Sequence, residues 1–108
     1  MTVVDIPGGR IHDALSFHAV FAEALGFPGF YGRNMDAWID CMGHLDDPAA
    51  EMSGVHVAPG GQLTLNVVNA GHVKAACPQV WFDFLECAAA VNARCLAAGR
   101  TPLLIVAS

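Results

Sequence analysis

"PQVWFDFLECAAAVNARCLAAG" (78–99), followed closely by "PLLIVA" (102–107), decides the architecture. Pro78 suits the first turn of a helix and Gly99 suits its C-terminal end, so the stretch between them predicts one long helix. Val80, Phe84, Cys87, Val91 and Cys95 fall on one apolar face, while Asp83, Glu86 and Arg94 share the opposite side. "PLLIVA" is a continuous apolar run, the pattern of a strand buried on both faces.

Working back from this pair, "QLTLNVV" (62–68) alternates and is β-branched, so it predicts a second strand. Ala70 to Ala76 joins it to the long helix as a short helix or loop. At the N-terminus, "TVVDI" (2–6) is a β-prone run stopped by Pro7-Gly8-Gly9. "HDALSFHAVFAEALGFP" follows, with Ala14, Phe17, Phe21, Ala24 and Leu25 in one stripe at helical spacing. His12 or Asp13 caps its start, and Gly26 and Pro28 close it. A further helix runs from about 35 to 45, capped by Asn34 and ended by Asp46-Asp47-Pro48. Residues 46 to 61 form an irregular stretch in which "SGVHVA" (53–58) is a candidate for an added edge strand. The order strand–helix–helix–strand–helix–strand implies an α/β domain over 1–108, a three-stranded parallel sheet with crossover helices.

Length and composition narrow the function. The 108 residues suffice for one core without metal or disulfide staples. A net charge of −5 argues against nucleic acid or an anionic membrane as direct partner. No apolar run reaches the ~18 residues of a membrane span. "MTVVDIPGGR" has no basic patch before an apolar core, so no signal peptide and a cytoplasmic location are expected. The four cysteines, Cys41, Cys77, Cys87 and Cys95, form no CxxC pair, and three sit among apolar residues as reduced core thiols do. The histidines show no HxH, HxxxH or HExxH spacing, so neither a metal site nor a cofactor is expected.

The helix over 35–45 carries the functional signal. At about 100° per residue, Ala37, Trp38, Cys41, Met42 and Leu45 fall together within about 140° and make the core face. Asp36, Ile39, Asp40, Gly43 and His44 take the other side. Asp36 in the first turn gains about 0.3–1 kcal/mol from the helix dipole. Asp40 lies beyond that turn and finds no lysine or arginine along the helix, and like charges at this spacing cost about 0.2–0.5 kcal/mol. Ile39 should stand exposed beside the carboxylates, and Gly43 removes bulk from the same face. Phe30 and Tyr31 enter on the preceding loop, where either both are core or one is an exposed aromatic anchor. Asp36, Asp40, Asp46, Asp47 and Glu51 are half of the ten acids, and no Lys or Arg occurs between Arg33 and Lys74. A one-sign patch of this kind speeds encounter with a cationic cleft. Two acids on one exposed face lack the dissimilar environments of an acid/base pair, and there is no G-x-S-x-G or phosphate-binding glycine loop, so neither an enzyme nor a small-molecule substrate is expected.

The segment "FPGFYGRNMDAWIDCM" resembles the barstar family's pattern P-x-[YF]-[YF]-G-x-N-x-D-A-x-x-D-C. The matching positions are Pro28, Phe30, Tyr31, Gly32, Asn34, Asp36, Ala37, Asp40 and Cys41. The resemblance implies a three-stranded parallel sheet flanked by helices and an intracellular inhibitor, or immunity protein, of a basic ribonuclease or nuclease toxin of the barnase type. It implies that Asp40 takes the substrate phosphate position against the nuclease's arginines and histidine. Asp36 would pair with a basic group on the rim, and Phe30 would stack on the catalytic histidine. Ile39 and Gly43 would pack beside the aspartates. The expected partner-binding surface is therefore Phe30, Tyr31, Asn34, Asp36, Ile39, Asp40, Gly43 and His44. The chain departs from the pattern at Phe30, usually tyrosine, at Ile39, usually an interface tryptophan, and near the end of the long helix, where Arg94 stands in place of an acidic contact. The alternative is a binding module of the same fold with a basic partner that is not a nuclease.

Overall fold

The computed structural model describes residues 2–108. Strand β1 (Thr2–Pro7) leads through a 3-10 turn at Gly8–Arg10 into helix α1 (Ala14–Leu25) and then α2 (Met35–Met42). After a 3-10 turn at Pro48–Ala50 come β2 (Leu63–Val68), α3 (Ala70–Ala76), α4 (Pro78–Ala97) and β3 (Leu104–Ala107). The strands lie in the order β1-β2-β3 with both pairings parallel; Thr2 faces Leu63, and Leu63 faces Leu104. Both connections within the sheet are helical crossovers, as parallel pairing demands.

Burial alternates along β1 and β2, so one face of the sheet carries the core. Ile6, Leu63, Leu65, Val67 and Leu104 point into it and meet Phe17, Phe21, Trp38, Phe84 and Val91 from the helices. The opposite face stays open: Val3 is 52% and Ile105 39% exposed. The expectation that "PLLIVA" is buried on both faces is therefore corrected. β3 is an edge strand covered on one side, and its apolar run includes Ile105 on the open face. The stripe of α1 is also shifted. Ala14 is exposed in the first turn, while His18 and Val20 join Phe17, Phe21 and Leu25 inside.

Helix ends follow local chemistry. Asp13 accepts a hydrogen bond from the Ser16 backbone N–H at 2.8 Å, and the Asp13 N–H donates to Ser16 Oγ at 3.1 Å, a reciprocal capping box. Gly26 ends α1 with φ of 65°, the left-handed conformation that glycine adopts without steric cost. Two side-chain bonds tie α4 to β3: the Leu104 N–H donates to Asn92 Oδ1 at 2.9 Å, and Asn92 Nδ2 donates to the Leu104 carbonyl at 3.0 Å.

The candidate extra strand at 53–58 does not form. Its backbone bonds go elsewhere: Gly54 and Val55 N–H to the carbonyl of Leu25 at the end of α1, at 2.8 and 3.3 Å, and Val57 N–H to the carbonyl of Leu45 in the turn after α2, at 2.9 Å. Carbonyls near a helix C-terminus lack partners within the helix, so the segment satisfies them and needs no ladder. Among the described residues, no helix is long and apolar enough to cross a membrane.

Candidate functional site

α2 is the scaffold of the site. Asn34 caps it, its Oδ1 accepting the Ala37 N–H at 2.8 Å, and Asp36 sits in the first turn where the dipole favours an anion. Trp38, Cys41 and Met42 are buried, as the wheel predicts. The helix ends at Met42, short of 45, and Leu45 reaches the core from the turn that follows. Trp38, Cys41 and Met42, packed along one face of α2, fix its orientation, so the outward residues are held by a rigid element.

The two adjacent aromatics have opposite fates. Phe30 is 75% exposed, whereas Tyr31 is buried. The Tyr31 hydroxyl and Nδ1 of buried His18 share a 2.6 Å hydrogen bond, and the Tyr31 ring packs on Phe27 with centroids 4.7 Å apart. Burial pushes the Tyr31 phenol well above its usual titration range. Burial, helped by the nearby Arg33 charge, holds His18 below the usual imidazole value. A neutral, buried hydrogen-bonded pair thus anchors the loop from below and leaves Phe30 presented above it. Of the two aromatics in the expected surface, Phe30 is the exposed one and Tyr31 lies beneath it. Arg33 completes the turn with φ of 53°, a conformation that L-residues adopt at a steric cost.

Asp36 and Asp40 are both exposed. Ile39, expected to be exposed, is half-buried and packs against the core. Asn34 holds the helix start through its own side chain. Gly43 has φ of −71°, so its backbone does not require glycine; a Cβ there would lie 3.1 Å from the Ile39 carbonyl oxygen. The exposed His44 donates from Nδ1 to the Asp40 carbonyl at 2.6 Å.

One expectation fails. Asp40 is not unpaired: Arg94 Nη1 of α4 lies 3.5 Å from Asp40 Oδ1, both side chains being mostly exposed. Asp46 is paired as well, with Arg100 Nη1 at 3.0 Å. Both cations come from the end of α4 and the residues after it, far from the acids in sequence. Among the described residues, Asp36, Asp47 and Glu51 make no ion pair. Burial raises the Cys87 thiol above its usual value, and the negative charges of Asp83, Glu86 and Asp36 raise it further. Sequence reasoning placed Arg94 at a departure from the family pattern without pairing it to Asp40, and it did not assign His18 to the site at all.

This geometry can present an exposed aromatic ring and a row of carboxylates on a rigid helix. Charge-assisted hydrogen bonds from arginine to carboxylate are the strong class, and one carboxylate accepts two in parallel. No curated protein matches the chain significantly. The chain does match the family model described as Barstar (barnase inhibitor) over residues 1–107, essentially its whole length. With a three-stranded parallel sheet and four helices consistent with that fold, the chain belongs to the barstar family.

Proposed function

We propose that this protein is an intracellular inhibitor of a basic ribonuclease, an immunity protein that blocks the nuclease active site with the outer face of α2. The observation that carries this reading is the joint presentation of Phe30, Asp36 and Asp40. The ring is exposed on a loop pinned by Tyr31, and both carboxylates stand on a helix whose other side is locked in the core. In this reading Asp40 takes the place of a substrate phosphate against cationic groups, and Asp36 meets a cation on the rim. Phe30 stacks on a flat ring in the cleft. Asn34 and Gly43 shape the surface, and Ile39 and His44 flank it. The protein acts by occupation, and no catalytic step is assigned to it. A partner such as barnase fits by charge, since the chain carries −5 and its α2 face is acid-rich.

The test is RNA cleavage by barnase titrated with the protein and with Asp40→Ala. Tight binding to a basic protein without effect on cleavage would instead favour a binding module whose partner is not a nuclease.

A further inference from the structure

Arg94 stands within ion-pair distance of the carboxylate that the inhibitor reading uses most. The residue projects from the flank of α4, between Val91 and Cys95, which are buried against the core. Asp40 immediately precedes buried Cys41 on α2. The packing of α2 on α4 therefore brings Arg94 within reach of Asp40, with Arg94 Nη1 3.5 Å from Asp40 Oδ1. Arg94 is the one Lys or Arg in ion-pair contact with Asp40 among the described residues. His44 uses the Asp40 backbone carbonyl and leaves the carboxylate to Arg94.

We propose that Arg94 is a specificity-determining residue, an internal competitor for Asp40 that a partner's cation must displace or share. The inference rests on the inhibitor reading above. A guanidinium has five N–H donors and stays charged, so it holds a carboxylate as a nuclease arginine would. When a partner covers the face, Arg94 loses water. A desolvated charge without a partner is costly, so Arg94 must keep Asp40 or find another acceptor. A nuclease that offers only cations to Asp36 and Asp40 meets a positive charge beside the second of them. Like charges brought together across an interface weaken association and suppress unsuited partners. The device admits nucleases whose cations outcompete Arg94 and rejects those that merely match the acids.

Barnase serves as the probe. Inhibition constants are measured for wild type, Arg94→Ala, Arg94→Glu, Asp40→Asn and the Arg94→Ala/Asp40→Asn pair. Arg94 is mostly exposed, so its variants should unfold at the same denaturant midpoint as wild type. The expected result is inhibition about tenfold tighter for Arg94→Ala and tighter still for Arg94→Glu, with the gain diminishing as salt rises. In the Asp40→Asn background the gain from Arg94→Ala should shrink to about twofold or less, since no carboxylate remains to compete for. Unchanged or weaker inhibition by both Arg94 variants overturns the proposal; if Asp40→Asn still loses inhibition, the inhibitor reading survives that result. A gain that persists in full without the Asp40 charge also overturns it. If no variant inhibits barnase at all, this inference falls together with the barnase-type reading.

Discussion

Replacing Tyr31 by Phe removes one oxygen and keeps the ring that packs on Phe27. That oxygen is 2.6 Å from Nδ1 of His18, and both residues are buried. The loss is therefore not the modest net value of an average hydrogen bond. It includes a buried imidazole nitrogen left without a partner, a penalty of about 1–3 kcal/mol. For a domain near this size each kcal/mol moves the melting midpoint by about 4–8 °C, so the variant should melt roughly 5–20 °C lower. Urea unfolding followed by tryptophan fluorescence is the assay, because Trp38 lies fully buried in the same core. The midpoint should fall while the slope against urea stays unchanged, since the surface exposed on unfolding is the same. A variant within about 0.5 kcal/mol of wild type, the scatter typical of neutral surface changes, would show that the hydroxyl adds nothing to stability. It would mean that ring packing alone holds the loop under Phe30.

Three further outcomes follow from the same geometry. Phe30→Ala should leave the unfolding midpoint within about 0.5 kcal/mol of wild type, because the ring is exposed. The same variant should inhibit a barnase-type ribonuclease at least about tenfold less well, since buried aromatic anchors dominate interfaces; equal inhibition would remove Phe30 from the site. Asn34→Ala should cost about 0.5–2 kcal/mol in urea unfolding through the lost cap of α2, whereas Asn34→Asp should retain most of the stability. The folded pKa of His18 lies below its unfolded value, so the unfolded chain binds more protons as pH falls below about 6.5. Stability should be fully present above that pH and decline towards pH 5, and His18→Phe should flatten this slope in urea titrations.

Much of the fold was legible because its signals are local. Pro78 and Gly99 bracket α4 through backbone constraints that hold in any context. Alternation in "QLTLNVV" and the cap residues Asp13 and Asn34 act within a few residues of themselves. What stayed hidden depends on distant partners. The 53–58 segment has a strand-like pattern, but the groups near it are the Leu25 and Leu45 carbonyls, and they claim its N–H groups. "PLLIVA" is apolar throughout, yet helices cover only one face of the sheet, which leaves Ile105 outside. In the site, the core face of α2 was readable from its period. Two neighbouring aromatics on a loop carry no period, and the inward turn of Tyr31 is met by His18 on α1 and by Phe27. A wheel counts neighbours on one helix, so Asp40 looked unneutralised while Arg94 waited on another.

The most direct test of the acidic plug is a titration of barnase RNA cleavage with folded wild type and folded Asp40→Ala. The variant loses only an exposed ion pair with Arg94, worth about 0–1 kcal/mol, so its fold should persist. Wild type should inhibit at one-to-one stoichiometry. Breaking a buried charge pair by removing one side costs about 3–5 kcal/mol, which weakens binding about 150- to 4,000-fold. Cleavage that continues unchanged under a large excess of folded wild type, or inhibition that Asp40→Ala retains in full, would contradict the account.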